Sequence, residues 1–357
     1  MDRPGRRRGR GATTSPKPRF VSADVVPFDD GWGTLEEPVE ERVVTEVTSE
    51  RARSIITRNQ SPDVPFSASV NPYRGCEHGC IYCYARPSHA YLDMSPGLDF
   101  ETRLVAKDNA PDVLATTLRK RGYRPEVLTL GSNTDPYQPI ERERRITRRV
   151  LEVCRESRHP VAIITKSALI LRDLELLAEL AAEGLVQVFV SVTTVSTKLS
   201  RIMEPRAASP ARRFAVVKSL SDTGVPVGVM ASPMIPAIND SELESILEGA
   251  AAAGAGTATY ILIRLPYEIK ELFEAWLDEH FAERKERVLG LIRETRGGRL
   301  YDSDFAQRMT GQGPYAQLLA RRFEVACKRH HLDGALPELS SASFRPPVAA
   351  GDQLKLF

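Results

Sequence analysis

Three cysteines, Cys76, Cys80 and Cys83, fall within eight consecutive positions with the spacing Cys-x3-Cys-x2-Cys. Three thiolates in one short loop can bind three irons of a cubane iron–sulfur cluster and leave the fourth iron open. An open coordination position is what substrate chemistry at a metal requires. Gly75 and Gly79 allow the loop to curl tightly, because glycine adopts backbone conformations that other residues avoid. The motif therefore predicts a catalytic iron–sulfur cluster.

The competing metal for such a loop is zinc, which binds four ligands and usually takes two of them from a distant pair. The other two cysteines, Cys154 and Cys327, stand alone in predicted helices, where we expect them to be buried as small apolar residues. His78 is the nearest candidate for a fourth ligand, but it lies inside the loop, where it would struggle to face the same ion. The pattern favours an iron–sulfur cluster, with zinc as the alternative.

The elements that must position this loop follow a repeating pattern of a short apolar run, a loop and an amphipathic helix. The predicted strands are Ser67–Asn71, Val127–Gly131, Val161–Thr165, Gln187–Thr193, Val225–Ala231 and Ala258–Ile263. The predicted helices between them are Pro111–Arg121, Arg142–Ser157, Leu169–Glu183, Pro210–Thr223 and Asp240–Ala253. Strands that alternate with helices of this length indicate parallel βαβ units. Six units fit an α/β fold with a partial (β/α)6 TIM-like barrel better than a doubly wound sheet.

Polar side chains follow successive predicted strands at their carboxyl ends. They are Ser132, Thr134 and Asp135 after the second strand, Lys166 after the third and Ser191 near the end of the fourth. Because ligands of parallel α/β folds bind at this edge, we expect these side chains to line one pocket beside the cysteine loop. Their oxygens could accept hydrogen bonds from an ammonium group, and Lys166 could pair with a carboxylate. Each residue alone would also fit a turn, a helix cap or a solvated surface.

Two further features are candidates for contacting a cofactor or a substrate. Arg264 follows the sixth predicted strand, and a short turn over residues 203–206 carries one glutamate and one arginine. The alternative for both is an ion pair at the surface or between domains.

The cysteine spacing, with the aromatic Tyr82 directly before the last cysteine, resembles the signature of the radical S-adenosylmethionine (SAM) superfamily. The position of the motif after the first strand of a βα series is also where that family places it. The resemblance implies a barrel of the radical SAM type and a [4Fe-4S] cluster on Cys76, Cys80 and Cys83. It further implies that SAM chelates the open iron and is cleaved to methionine and a 5′-deoxyadenosyl radical, which abstracts a hydrogen atom. The electron would come from a donor such as flavodoxin or ferredoxin.

Within the superfamily, residues 54–253 are similar to the spore photoproduct lyase-like branch of DNA repair enzymes. In that branch a serine, a lysine and a serine at strand ends contact SAM, and these map onto Thr134, Lys166 and Ser191. The tyrosines on either side of the last cysteine, here Tyr82 and Tyr84, lie beside the radical site in the same branch.

One departure from the branch concerns the loop after the second strand. The lyase carries a hydrogen-donating cysteine there, whereas this chain has Ser132. An O–H bond is too strong to replace a thiol as a hydrogen donor. We therefore expect that this protein does not repair spore photoproduct by the same route.

The charge is distributed unevenly along the 357 residues, although 49 basic side chains nearly balance 47 acidic ones. Residues 1–19 carry seven basic side chains and one acidic one, which leaves 42 basic and 46 acidic side chains in the remainder. The body therefore offers no strongly basic surface by composition. No apolar stretch is long enough to span a membrane, and the basic N-terminus lacks the apolar region of a secretory signal. With an odd number of cysteines, we expect a cytoplasmic protein without a disulfide framework.

Composition also suggests how the chain is divided. We expect a disordered basic tail over residues 1–19, an irregular N-terminal extension over 20–65, the partial barrel over 66–265, a helical C-terminal extension over 266–335 and a linker with a tail over 336–357. The tail ends in Gln353, Leu354, Lys355, Leu356 and Phe357, which resembles the motif that binds the bacterial sliding clamp. A flexible linker would present these apolar side chains to a pocket on the clamp, with the glutamine at its rim.

Three functions remain open at this point. The first is a radical SAM enzyme acting on DNA, on a lesion flipped out of the duplex, with the tail recruiting it to the clamp. The second is radical SAM modification of RNA, protein or a metabolite. The third is a metal-stabilised nucleic-acid-binding protein without catalysis, which would leave the polar residues at the strand ends unexplained.

Overall fold

A computed structural model describes residues 10–21 and 44–348. Its strands are β1 (Glu46–Ser49), β2 (Ile56–Arg58), β3 (Ala68–Val70), β4 (Tyr73–Arg74), β5 (Arg103–Ala106), β6 (Leu128–Leu130), β7 (Val161–Thr165), β8 (Val186–Ser191), β9 (Val227–Met234) and β10 (Thr257–Leu262). Its α-helices are α1 (Asp99–Thr102), α2 (Ala110–Leu118), α3 (Glu141–Arg144), α4 (Ile146–Glu156), α5 (Leu174–Ala182), α6 (Thr197–Met203), α7 (Pro210–Asp222), α8 (Leu243–Ala252), α9 (Ile269–His280), α10 (Lys285–Glu294) and α11 (Gly313–His330).

The main sheet has the strand order β10-β9-β8-β7-β6-β3-β2. From β3 to β10 every neighbouring pair is parallel and the strands follow one another in chain order, while β2 adds to β3 in the antiparallel direction. A doubly wound sheet would reverse its order at a switch point, which does not occur in this sheet. The six predicted strands are all present, and the predicted partial (β/α)6 barrel is confirmed.

The strands are short runs of Val, Ile, Leu and Ala that are buried on both faces, as covered parallel sheets require. Helices pack over them with apolar stripes, such as Ile146, Val150 and Cys154 on α4. Gly184, Gly224 and Gly254 adopt positive φ just beyond α5, α7 and α8, as is typical of glycines at helix ends. These elements share one large apolar core with α11, whose Leu319 and Cys327 are buried in it.

One predicted helix, Arg142–Ser157, is broken into α3 and α4 at Arg145, which has a φ of 51°. The cause is Glu141, whose buried carboxylate accepts hydrogen bonds from the backbone N–H of Thr147 at 3.0 Å and of Arg148 at 3.3 Å. A carboxylate at this position satisfies amide groups that a new helix start leaves without partners. The sequence pattern gave no sign of this cap.

A second sheet, with the order β1-β5-β4, lies outside the barrel series. The C-terminal part contains α9, α10 and α11, which all lie within residues 266–335. None of the helices in the described part of the chain combines the length and the apolar character needed to cross a lipid bilayer. Gln353–Phe357, which carry the predicted clamp motif, lie outside the described residues.

Residues 10–19 belong to the segment for which we expect disorder, and the structure describes contacts between them and the body. This part of the segment is hydrogen bonded to the body, for instance from the Gly11 and Ala12 amides to the Glu101 carboxylate at 2.9 and 2.8 Å. Its arginine- and glycine-rich composition was typical of disorder, but a buried acceptor some 90 residues away in sequence fixes its backbone. Residues 1–9 lie outside the described residues.

Candidate active site around the cysteine loop

The cysteine loop leaves β4 and curls at two glycines with positive φ, Gly75 at 75° and Gly79 at 67°. A Cβ atom on Gly75 would lie 2.8 Å from the Phe100 carbonyl oxygen, and one on Gly79 would lie 2.7 Å from the Glu101 carboxylate. Both distances are too short for any side chain. The Cys76 amide donates to the Phe100 carbonyl at 2.8 Å, which fixes the start of the loop. The loop therefore needs both glycines for conformation and for space.

The three cysteines are withdrawn from solvent, with Cys76 and Cys80 buried and Cys83 partly buried. Burial raises the pKa of all three thiols, and the negative charges of Asp135 and the other two cysteines raise the pKa of Cys76 further. Three such thiolates need a cationic partner, which the irons of a cluster supply. In the described residues no three His, Cys, Asp or Glu side chains are arranged around one ion. A cubane places each thiolate on a different iron, so the donor set fits it.

The loop after β6 locks the cysteine loop in place through Gln138, which is fully buried. Its amide group donates to the Gly75 carbonyl at 3.1 Å and accepts from the Glu77 amide at 3.0 Å. Both bonds use backbone groups that would otherwise be buried without partners. Sequence reasoning missed this residue, because a glutamine in a loop carries no signal of its tertiary partner.

Asp135, predicted to contact the cofactor, connects three parts of the site. It lies 3.3 Å from the His78 ring and accepts at 2.7 Å from both the Thr165 hydroxyl and the Lys166 amide. Burial opposes its ionisation, but the charge and hydrogen bond of His78 and the bonds from Lys166 and Thr165 outweigh burial and lower its pKa. Its carboxylate thus holds the third strand end against the cysteine loop, and a contact with SAM stays a prediction.

Ser132 and Thr134, from the same loop, also make contacts within the protein. The buried Thr134 hydroxyl donates to the Tyr73 carbonyl at 3.0 Å, and the Ser132 hydroxyl accepts from the Asn71 amide group at 3.3 Å. The Tyr84 hydroxyl donates to the Ser132 carbonyl. The structure therefore brings Ser132 beside the residue that follows the last cysteine, while the roles of both toward SAM stay predictions.

A buried polar network lies under Tyr82 and centres on Glu204. The Glu204 carboxylate accepts from the Tyr82 hydroxyl, from the Thr193 hydroxyl at 2.8 Å and from the Arg213 guanidinium. Burial opposes ionisation, but the charges of Arg213 and Lys166 and the hydrogen bonds from Arg213 and Tyr82 lower the pKa of Glu204 to about 2. Glu204 is therefore an ionised carboxylate in the interior, and its ion pair with Arg213 is buried within the barrel rather than at the surface.

Lys166 and Ser191 join this network from the ends of β7 and β8. The Lys166 ammonium lies 4.0 Å from Glu204 and 5.9 Å from the centre of the Tyr82 ring. The Ser191 carbonyl accepts from Arg213 at 3.1 Å. Lys166 is only 17% exposed, so its ammonium group is largely withdrawn from solvent. The predicted convergence of these strand ends is present, and Arg213 is the member that sequence reasoning did not identify.

Tyr84 and Arg264 form the open part of the site. Tyr84 is 48% exposed, in contrast to the buried Tyr82, and the Arg264 guanidinium stands 5.3 Å from the centre of its ring. Arg264 contacts the Met309 sulfur at 3.7 Å, and its Nε atom is buried without a hydrogen-bond partner in the described residues. No carboxylate of the described residues lies within ion-pairing distance of Arg264, so the surface ion pair proposed as its alternative is not observed there.

The family model for the radical SAM superfamily matches residues 70–250, which span the cysteine loop and the strands from β3 to β9. This chain belongs to the radical SAM superfamily. It is accordingly an enzyme that uses a [4Fe-4S] cluster and SAM. The interpretation as a binding protein without catalysis is thereby overturned, because the match covers the barrel and its strand ends as well as the cysteines.

Relatives of known sequence extend over most of the chain. Uncharacterized proteins of Mycobacterium tuberculosis and Mycobacterium bovis are 35% identical over 285 residues, which cover 78% of this chain and 80% of theirs. An uncharacterized protein of Methanocaldococcus jannaschii is 27% identical over 197 residues, covering 55% of this chain and 71% of its own.

Among solved structures, the chain is similar to spore photoproduct lyase complexed with a dinucleoside spore photoproduct. The TM-score is 0.53 at 14% sequence identity, and the match covers 80% of this chain and 78% of the lyase. At this identity the likeness establishes the shared fold, which is the partial barrel predicted from the strand pattern.

Proposed function

We propose that this radical SAM enzyme acts on DNA, at a damaged base, with Cys76, Cys80 and Cys83 as the cluster ligands. The observation that carries the proposal is the pair formed by the exposed ring of Tyr84, next to the last cysteine, and the Arg264 guanidinium 5.3 Å from its centre. An exposed aromatic face beside an arginine is the arrangement on which an unstacked nucleobase binds. The similar lyase was solved with a dinucleoside lesion, which agrees with this substrate class.

The charge near this opening also supports a nucleotide. Burial, and after it the nearby charge of Arg264, lowers the pKa of Arg296 to about 10, so two arginines lie near each other at the end of β10. Asp63, whose charge interacts with that of Arg264, is already paired in two hydrogen bonds with Arg308. A phosphate group would supply the anion that Arg264 lacks among the described residues.

Roles can be proposed for the remaining side chains. When bound, the reduced cluster and SAM supply a 5′-deoxyadenosyl radical. Lys166, held toward the loop by Glu204, would pair with the carboxylate of SAM, and Ser191 would add a hydrogen bond. The buried Tyr82 would form a wall of the SAM site, and the exposed Tyr84 would form its rim. Ser132, Thr134 and Asp135 would complete the pocket at the end of β6.

The hydrogen returned to the substrate needs a source other than a protein thiol beside the site. Ser132 stands where the lyase branch has its cysteine, and a hydroxyl does not donate a hydrogen atom readily. Cys154 and Cys327, the cysteines of the described chain outside the loop, are 0% and 3% exposed in α4 and α11. We therefore propose a lesion or a reaction different from that of spore photoproduct lyase.

The test is anaerobic reconstitution with iron and sulfide, followed by reduction with SAM present and measurement of 5′-deoxyadenosine. Ultraviolet-irradiated DNA should raise its formation above that seen with undamaged DNA or with RNA of the same sequence. Tyr84→Ala and Arg264→Gln should remove this stimulation, while Tyr84→Phe, which keeps the ring, should retain it. Arg155→Gln, a matched change at an exposed ion pair with Glu179 on the outside of the barrel, should have no effect. Stimulation by RNA, a protein extract or a metabolite instead of DNA would refute the proposal.

The proposed partners are tested separately. Binding of the sliding clamp through Gln353, Leu354, Leu356 and Phe357 is checked by capture on immobilised clamp with and without residues 353–357. Capture that survives the deletion would exclude this motif. Delivery of the electron by flavodoxin or ferredoxin is checked by replacing the chemical reductant with each protein and its reductase.

A further inference from the structure

We propose that residues 10–21 form a strap that closes the cysteine loop on the side of Gly79 and Cys80 and controls access of small solutes to the cluster. The proposal does not depend on the substrate. It rests on two anchors, one on the loop itself and one beside α9, and on the close packing of the strap between them.

The first anchor is the Glu101 carboxylate, which is fully buried. Its two oxygens accept from the Gly11 amide at 2.9 Å and from the Ala12 amide at 2.8 Å. The Arg10 guanidinium donates to the Glu101 carbonyl at 2.9 Å and to the Thr45 hydroxyl at 2.8 Å. Consecutive amides on one carboxylate fix the direction of the strap as well as its position.

The same carboxylate holds the cysteine loop. The Arg86 guanidinium pairs with Glu101 at 2.5 Å and donates to the Cys80 carbonyl at 2.8 Å, and both charged side chains are completely buried. The strap therefore donates hydrogen bonds to the same Glu101 carboxylate that pairs with Arg86. Arg86 in turn positions the backbone of Cys80, a proposed cluster ligand. A change in the strap would be transmitted to Cys80 through one shared group.

Between its anchors the strap packs directly on the loop. A Cβ atom on Gly11 would lie 1.7 Å from the Gly79 carbonyl oxygen, so the two backbones are in contact. Ala12 is 2% exposed and belongs to the apolar cluster that contains Cys80. Farther along, a Cβ atom on Gly97 would lie 2.3 Å from the Thr14 carbonyl oxygen. The strap is therefore closely packed both on the cysteine loop at Gly79 and on the neighbouring segment at Gly97.

The second anchor is Arg19. It pairs with Glu268 at 2.7 Å, donates to the Pro87 carbonyl at 3.1 Å and stands 4.0 Å from the centre of the Tyr267 ring. The neighbouring Phe20 packs on Tyr91 with 5.2 Å between ring centres. With the strap in place Tyr91 and Tyr267 are still 70% and 63% exposed, so the contacts with Arg19 and Phe20 cover only part of each ring.

The consequence concerns exchange at the cluster. With the strap in place Cys80 is only 8% exposed, so a chelator in solution reaches the ligated iron on this side after the strap has opened. The rate of iron removal then depends on the local stability of the strap, which can change without global unfolding.

The experiment uses the full-length protein carrying its cluster and measures, under anaerobic conditions, the rate at which a strong iron chelator removes iron. Gly11→Val places a side chain against the Gly79 carbonyl and displaces the strap without changing any residue of the loop. We expect iron removal to become at least about tenfold faster, since the free energy of local opening sets such rates. Arg19→Gln, at the second anchor, should accelerate it by a smaller factor.

The matched control is Gly290→Val in α10, where an added Cβ atom meets nothing within 4 Å. It should leave the rate of iron removal unchanged. Iron content and circular dichroism before the chelator is added establish that each variant is folded and loaded. If Gly11→Val does not retain a cluster, Arg19→Gln alone decides the question. Rates equal to wild type in every loaded strap variant would overturn the proposal.

Discussion

Two buried glutamate–arginine pairs flank the cysteine loop, and they are connected to it in different ways. The barrel pair, Glu204 and Arg213, bonds the Ser191 carbonyl at the end of β8 and reaches the loop through the Tyr82 side chain. The strap pair, Glu101 and Arg86, bonds the Cys80 carbonyl and reaches the loop through its backbone. All four side chains are almost completely excluded from solvent.

Because of this difference, the barrel pair affects the charges near Lys166, whereas the strap pair affects the position of the cysteine loop. The barrel pair lies within 4.0 Å of Lys166 and therefore sets the electrostatic environment of a residue predicted to bind SAM. The strap pair bonds backbone groups of the loop and of the strap, so it fixes positions without adding a side chain to the pocket. A buried ion pair contributes little to net stability, but removal of one partner leaves an unpaired charge. Removing the glutamate of either pair should therefore lower the free energy of unfolding by a similar amount. The two changes should differ in their effect on SAM binding.

The largest effect on activity is expected from a change of Cys80, which belongs to the loop that both pairs flank. Cys80→Ala should abolish 5′-deoxyadenosine formation and lower the iron content of the reconstituted protein, because it removes one of the three cysteines that we propose as cluster ligands. Cys154→Ala is the matched control, since this cysteine is buried in α4 away from the loop and should leave iron content unchanged. Full iron loading and SAM cleavage by the Cys80→Ala protein would remove this cysteine from the ligand set.

The second prediction compares the pairs directly. Glu204→Gln and Glu101→Gln should each lower the free energy of unfolding by about 3–5 kcal/mol, because each leaves a buried arginine without its partner. Only Glu204→Gln should also weaken the rise in melting temperature that SAM gives to the cluster-loaded protein, since only Glu204 orients Lys166. Thermal unfolding with and without SAM measures both effects. An equal loss of the SAM effect in the two variants would show that the pairs do not differ in this way.

The same contrast explains which parts of the molecule could be predicted from its sequence. The barrel follows from local patterns, since β-branched runs, amphipathic helices and terminal glycines all lie within short windows. Cys76, Cys80 and Cys83 share one loop, and Lys166 and Ser191 were found because strand ends of a parallel sheet converge. These residues could be placed without knowing any tertiary partner.

The features that escaped prediction depend on single partners far away in sequence. Glu101 and Arg86 show no motif, and the backbone amides of Gly11 and Ala12 carry no side-chain signal at all. The composition of residues 10–19 is typical of disorder. Composition alone gives no information about hydrogen bonds to a distant side chain such as Glu101. Gln138 and Arg213 were missed for the same reason. The turn that contains Glu204 could be named as a candidate from the sequence, but its buried partner Arg213 could not.

The smallest effect we predict is the dependence of the barrel pair on pH. The pKa of Glu204 in the folded protein, about 2, lies below its ordinary value of 4.5. A carboxyl group with a lowered pKa contributes stability that is fully present above pH 4.5 and is lost as the pH falls toward 2. The difference in unfolding free energy between wild type and Glu204→Gln should therefore be largest above about pH 5 and should narrow progressively below pH 4.5.

This difference is measured by denaturant unfolding of the cluster-free proteins, because acid destroys iron–sulfur clusters. Other carboxyl groups with lowered pKa values, such as Asp135, titrate in both proteins and cancel in the comparison. A difference that stays constant from pH 6 to pH 3 would mean that Glu204 keeps its ordinary affinity for protons in the folded state. In that case the charges of Arg213 and Lys166 would not stabilise the ionised form of Glu204. The barrel pair and the strap pair would then differ only in which groups of the loop they contact.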